Sequence, residues 1–473
     1  MKTRSFVLGM FAFAALCACN KEAQPAAPEV LDADAYVKVN IMATPSTKAF
    51  EKGEENSVKN ALFLFFDASG AAVRYATETS FTWDENETGE NVAKSATIKF
   101  PAKDTKPASM LVVLNYSDES KYTGKSLNTV LALPEEALYD GDYFLMTNSV
   151  YAEDGNAVCA TALTDANFGK TNTEDALVDA VPVNVYVERV AAKVLLTDNT
   201  DGNITGSEID VNTGSITETM TLTPVVVGFD IVETPKEAYS FKRIDTGWTY
   251  TDWNDASNFR SYWAETTSHS WEDPTDYSYK VANTFGKNEE PIYLFENTSA
   301  TTTKVVLVAQ LKDGSSNAVD LVRYNNTYYT LDAFKEYAAE VAATATGQTV
   351  NVGDLSIESG KGTGPLTNNY EMYFTHTNDD VKAVLKGMTA MYWNDGYTYY
   401  FTDIKHDIDN LSGVVRNHVY KLSLNSIQGL GVSVPDPTKE IDPETPSAEY
   451  YSLNATVNIL SWKIVEQSVD FNN

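Results

Sequence analysis

The end of the chain sets the problem that the rest of the sequence must solve. A β-type run from Tyr451 to Phe471 hangs on an acidic tether punctuated by Pro435, Pro437, Pro443 and Pro446. The prolines deny the tether a helix or a central strand, while Asp436, Glu440, Asp442 and Glu444 keep it solvated and extended. In the run, Tyr451, Leu453, Ala455, Val457 and Ile459 share one parity and Ser452, Asn454, Thr456 and Asn458 the other, the period of a half-buried strand. Leu460, Trp462 and Ile464 then continue the apolar set on the opposite parity, and Val465, Val469 and Phe471 return it. Such a segment must bulge, bend or form two short strands in series. Fully extended it reaches about 70 Å at about 3.3 Å per residue, longer than one typical strand, so service in more than one sheet is expected. A terminal strand of this kind can close its own sandwich or, on so extended a tether, another molecule's.

The front of the chain carries a second strand of similar profile. Val37, Val39, Ile41 and Ala43 alternate with Tyr36, Lys38, Asn40 and Met42. Laid beside the tail, Val37–Ala43 matches Ala455–Ser461, with Val-Asn-Ile in common and small to medium side chains on the inward parity. Two such segments could occupy one groove in turn. The stretch that follows, Thr44 to Asn56, is polar and broken by Pro45 and Gly53, a place for a protease to nick the chain and free the first strand.

Residues 1–19 read as an export signal: Lys2 and Arg4 form the charged start, Phe6 to Leu16 the apolar core, and Leu16-Cys17-Ala18-Cys19 the end. The last four resemble a lipobox, which would leave Cys19 as a diacylated amino terminus; an ordinary signal peptide is the alternative. No other stretch approaches the length of a membrane span. Only Cys159 then remains, without a partner for a disulfide, and it reads as a small buried hydrophobe. The formal charge of −31, with no Lys/Arg cluster, excludes nucleic acid as a partner.

A chain of 473 residues exceeds what one core usually spans, which predicts two domains. Strands are expected at Val58–Phe66, Val73–Tyr75, Ala96–Phe100 and Ser109–Tyr116, with a short helix within Ser126–Leu138. A long β run around Val181–Leu196 places the boundary near residue 185. Further strands are expected at Met220–Ile231, Lys304–Leu311, Val319–Tyr324, Tyr370–His376, Tyr397–Ile404 and Val414–Ile427. Two helices stand out. Thr330 caps one with an apolar stripe of Leu331, Phe334, Tyr337, Ala338 and Val341; Asn378-Asp379-Asp380 opens another with Val381, Val384, Leu385 and Met388. The class is mainly β, two sandwiches with minor helix.

Signals for catalysis are missing. His269, His376, His406 and His418 are scattered without metal-ligand spacing, and Gly360-Lys361-Gly362-Thr363-Gly364 lacks the pattern of a phosphate loop. Asp198 to Asn203 reads as a turn rather than a calcium loop. Trp248, Tyr250, Trp253, Phe259, Tyr262 and Trp263 fit a satellite core under a long insertion, with a sugar-stacking platform as the alternative. The expectation is a non-enzyme without cofactor or metal.

Several of these pieces together resemble the major fimbrial subunits (fimbrillins) of Bacteroidales, the type V pilins. They are the lipobox, the first strand and its loop, Val187-Glu188-Arg189-Val190-Ala191-Ala192-Lys193-Val194, Asn258 to Ala264, Val415-Arg416-Asn417-His418-Val419-Tyr420, and above all Leu460-Ser461-Trp462-Lys463-Ile464-Val465 with Val469-Asp470-Phe471. The resemblance implies two transthyretin-like β-sandwich domains and a carboxy-terminal donor strand. It implies export as a lipoprotein to the outer membrane, cutting by a surface protease in the loop after the first strand, and filling of the vacated groove by a neighbour's tail. Family cleavage follows Arg; this loop offers only Lys48 and Lys52, and Lys48–Ala49 is the expected bond.

The domains expected are a signal at 1–19, a propeptide with the first strand at 20–48, sandwiches at 49–185 and 186–432, a linker at 433–450 and a donor strand at 451–473. The displaced residues would be Val37, Val39 and Ile41, and the donor residues Leu453, Ala455, Val457, Ile459, Trp462, Ile464, Val469 and Phe471. Partners implied are further copies of the chain head to tail, the maturation protease, minor fimbrial subunits and, through lipid before cleavage, the outer membrane. A shaft subunit supporting adhesion is the function expected; a tip or anchor subunit and a monomeric glycan-binding surface lipoprotein are the alternatives. Residues 49–473 carry 35 − 5 basic and 66 − 4 acidic groups, a net −32, so like-charged copies repel at range and the strand joint must dominate assembly.

Overall fold

The computed structural model describes residues 28–43, 58–79, 83–85, 91–93, 96–140, 143–149, 151–153, 156–169, 180–198, 204–243, 291–297, 303–360, 365–366, 369–406, 413–438 and 451–461. Strands dominate, as the sequence pattern requires. In the first body, Ala61–Phe66 is buried at every position because both faces of its sheet are covered. Ala61, Phe63 and Phe65 point into one core with Val37, Val39 and Ile41, while Leu62, Leu64 and Phe66 point into another with Tyr122, Val130, Ala238 and Phe295. The run Ser109–Leu114 is its antiparallel neighbour, buried from Met110 onward where its sequence is continuously apolar. The main path through the sheet runs Ala72–Glu78, Ala61–Phe66, Ser109–Leu114, Met146–Asn148, Val183–Arg189, Ala35–Ala43, Asn91–Ala93, Trp83–Glu85. The expected short helix is Leu127–Leu131, capped by Ser126.

Val183–Arg189 belongs to this sheet, and Ala191–Asp198, directly after Val190, belongs to the next. The passage between bodies therefore falls at Val190, past the expected 185/186, because the inward parity Val183, Val185, Val187 still pairs with the first strand. In the second body, a sheet ordered Ile292–Phe295, Ala191–Asp198, His418–Gly429, Tyr451–Ser461 faces a ten-stranded sheet built around Thr217–Val232, Lys304–Lys312 and Tyr397–Asp403. Ala192, Val194, Leu196, Tyr420, Leu422 and Leu424 meet Phe229, Ile231, Val305, Leu307 and Tyr400 between them, which makes a sandwich core. The 16 residues of Thr217–Val232 are accommodated by a bulge between Val226 and Gly228.

Both helices expected in this body are present. Leu331–Thr346 starts where the Thr330 hydroxyl accepts from the Ala333 N–H at 3.3 Å and stops at Gly347 with φ of 69°. Asp379–Lys386 starts where Asn378 Oδ1 accepts from Asp380 and Val381 N–H at 3.0 and 3.2 Å. They form a separate core with Phe374, Ala390 and Tyr392 on the outer strands of the large sheet. Tyr337, expected in the buried stripe, is exposed and stacks on Tyr329 with ring centroids 5.8 Å apart. Phe334 and Ala338 already fill the seam. Strand His418–Gly429 also starts later than Val414, because residues 414–417 turn to bridge the two bodies.

Candidate functional site

The leading strand Ala35–Ala43 is bonded on both sides. Its first half pairs antiparallel with Ala96–Phe100 on one side and Phe168–Gly169 on the other. Its second half pairs parallel with Val183–Val187, and Met42 also pairs with Val92. Val37, Val39 and Ile41 are each 0% exposed, so the parity read from sequence is the parity that faces the core. Burial of those three side chains contributes roughly 5–9 kcal/mol to the first body, an upper bound. Taking the strand away would leave an apolar slot with backbone groups bare on both walls.

The tail strand Tyr451–Ser461 sits differently. It pairs antiparallel with His418–Gly429 through 11 residue pairs, with an irregularity between Leu424 and Ser426. Positions 453, 455, 457 and 459 stand opposite Ile427, Leu424, Leu422 and Tyr420, all of them core positions. It is the end member of its four-stranded sheet, hydrogen-bonded along one side. In the uncut chain, then, this part of the tail closes its own second body, the alternative that its sequence left open. Trp462, Ile464, Val469 and Phe471 lie outside the described residues, as do Cys19, Lys48, Ala49 and the Trp248–Trp263 stretch.

Where the two bodies meet lies a buried polar junction that sequence reasoning did not assign. Arg416 is 0% exposed; its guanidinium donates to Glu296 Oε1 at 2.5 Å, to the Tyr239 carbonyl at 2.5 Å and to the Ser240 carbonyl at 3.2 Å. Thr147 of the first body donates to that same Ser240 carbonyl at 2.8 Å. Burial by itself disfavours the charge on Arg416, but the Glu296 carboxylate beside it holds the guanidinium above its ordinary value. Asn417, at φ of 59°, accepts from Arg189 Nη1 at 3.4 Å and donates its N–H to the Ala191 carbonyl at 2.7 Å. Tyr420 completes the turn by accepting from Val415 N–H at 2.8 Å through its hydroxyl. The Arg-Asn-x-x-Tyr run thus folds back on the Val190 crossover and fixes one body to the other.

Of the histidines, His406 and His418 come together, with ring centroids 5.0 Å apart, although they lie twelve positions apart in sequence. Each has a polar partner: His406 Nδ1 lies 2.8 Å from the Tyr420 hydroxyl and His418 Nδ1 2.7 Å from the Arg416 carbonyl. Among the described residues no group of His, Cys, Asp and Glu is arranged to hold a metal ion. Cys159 is half-buried against the first body's second core, and burial pushes its thiol up, which makes it a poor nucleophile. No helix among the described residues is long and apolar enough to cross a membrane.

Among the described residues the features that stand out are a central leading strand, a tail strand at a sheet end and a buried polar joint. Residues 391–468, which take in Arg416, Asn417 and the tail strand, match the family model described as major fimbrial subunit protein type IV, fimbrillin, C-terminal. Over this region the chain is similar to the fimbrillin family. Among solved structures, similarity extends to a fimbrilin from Porphyromonas gingivalis, 16% identical over 91% of this chain and 98% of the other, with a TM-score of 0.42. It extends also to a tip fimbrial protein of the same organism with a carboxy-terminal truncation, at 10% identity, 90% and 99% coverage and a TM-score of 0.34. A fimbrial assembly protein from Parabacteroides distasonis follows at 11% identity, 73% and 97% coverage and a TM-score of 0.32. Likeness at this level carries no statement about function. No curated protein matches the sequence.

Proposed function

We propose that the chain is a structural shaft subunit of a cell-surface fimbrium that supports adhesion. It is exported as a lipoprotein on Cys19, cut at Lys48–Ala49 by a surface protease, and polymerised head to tail. The tail of one copy, 451–473, enters the slot that the leading strand of the next copy vacates. One observation carries this reading: a strand that is central to its sheet lies just upstream of a polar loop, while a strand of matching parity is held at the other end by a single row of hydrogen bonds. An edge strand on a proline-rich tether can leave its sheet as one piece, whereas a central strand leaves only when the chain is cut. A head-to-tail contact is heterologous and grows into a filament unless its rotation closes a ring.

The test places a site-specific protease sequence after Lys48 in the full chain. Cutting should convert monomer into ladders that resist SDS without boiling, and deletion of 451–473 should abolish them. A reducible staple tests the source of the donor. Lys421 and Asn458 are directly opposed, so K421C with N458C pins the tail to its own body. Laddering should then wait for reductant. Ladders that form with the staple closed would refute tail donation, and a cut chain that stays monomeric while binding oligosaccharides would favour a glycan-binding lipoprotein instead.

A further inference from the structure

The leading strand is not the only part of the front segment that is held. Before it, residues 29–34 run along the turn between Phe100 and Lys106. Leu31 exchanges hydrogen bonds with this turn, its N–H donating to the Asp104 carbonyl at 3.0 Å and its carbonyl accepting from Lys103 at 2.8 Å. The Lys106 N–H donates to the Glu29 carbonyl at 2.8 Å, and Val30 bridges Thr105. Leu31 itself is 9% exposed and belongs to the same core as Val37 and Val39. The Asp34 carboxylate accepts from the Ala102 N–H at 2.9 Å and pairs with Lys99 Nζ at 2.6 Å, while Lys106 Nζ reaches Glu29 at 2.9 Å.

A segment destined to be discarded has no folding need for such a hold beyond its strand. Exposed ion pairs contribute little alone, so the strength lies in the buried Leu31 and the backbone bonds around it. These contacts gather at the Ala35 end of the strand. We infer that residues 29–34 form a retention clasp: cutting the loop after the leading strand does not empty the slot. The severed leader stays on the Phe100–Lys106 turn until another strand of the same chain type displaces it, beginning from the Ala43 end. The slot is therefore never bare to solvent, where two rows of unpaired backbone groups would recruit any extended chain. This rests on the proposed shaft function for the identity of the incoming strand, but retention itself is a property of one subunit.

The experiment uses the full chain with a protease sequence after Lys48 and with 451–473 stapled by K421C and N458C, cut at a dilution where copies do not meet. Size exclusion with mass spectrometry follows the leader over time. It should co-elute with the body for hours, and L31D should shorten that retention at least tenfold and D34A by a smaller factor; D32A, on an exposed side chain, should leave it unchanged. Matching circular dichroism of the uncut variants separates a lost clasp from a lost fold. Hydrogen exchange on the nicked protein should be faster at amides 40–43 than at 30–35. Immediate loss of the wild-type leader, retention indifferent to both L31D and D34A, or the opposite exchange gradient would overturn the clasp. Ladder formation in the unstapled chain is read separately, so failure of the shaft reading and failure of the clasp remain distinguishable.

Discussion

The two terminal strands share a sequence parity and differ in everything their surroundings add. Ala35–Ala43 has neighbours on both sides and three side chains with no exposure, whereas Tyr451–Ser461 is bonded along one side at the end of its sheet. A strand's role is thus decided by how many of its backbone groups find partners in the body, not by its own alternation. The first is part of a core and the second is an attachment to one.

Substitutions can break that contrast. The largest effect is expected from V39D, which buries a carboxylate between two strands and should cost about 4 kcal/mol or more, or prevent folding of the first body altogether. V457D at the tail should leave chemical denaturation of both bodies within about 1 kcal/mol of wild type, since an edge strand can detach at modest cost. Equal losses from the two would erase the distinction. Next comes R416M, which strands Glu296 without its partner and should destabilise the chain by about 3–5 kcal/mol, with separate unfolding transitions for the two bodies. The pair R416M with E296Q should recover part of that loss. T330A should cost about 1 kcal/mol in the helical part of the second body alone, a control remote from both strands.

Acid provides the smallest and most local effect. The Lys99 ammonium, with the Ala102 N–H behind it, holds the Asp34 carboxyl below its ordinary 3.8. A depressed carboxyl stabilises the folded state above its unfolded value, and that contribution is lost as the pH falls through the folded one. Retention of a severed leader should therefore weaken below pH 3.8 in wild type and lose this dependence in D34N, read by the same co-elution.

What the sequence disclosed followed the range of the interaction. Caps act over three residues, so Thr330 and Asn378 marked their helices. The apolar runs Ala61–Phe66 and Met110–Leu114 were legible as strands, and the structure buries both throughout. The stripe on Leu331–Thr346 was legible too, except at Tyr337, where only packing shows that Phe334 and Ala338 leave no room. Arg416 and Glu296 are 120 residues apart, and Arg189 and Asn417 are 228 apart, with no local pattern to link them. Arg416 fell inside the strand expected over Val414–Ile427, whose alternation says nothing of a partner 120 residues away, so its burial was not legible.

By itself the sequence determined the β class, the parity of both terminal strands, the proline-rich tether and the absence of a catalytic pattern, because these are properties of residues a few positions apart. Only the tertiary structure decided that the front strand is central and the tail an edge, that Val190 is the crossover, and that Arg416 is buried at the joint. Strand neighbours and buried charges are settled by which distant segments meet, and two strands with one alternation can be given opposite fates by the walls around them.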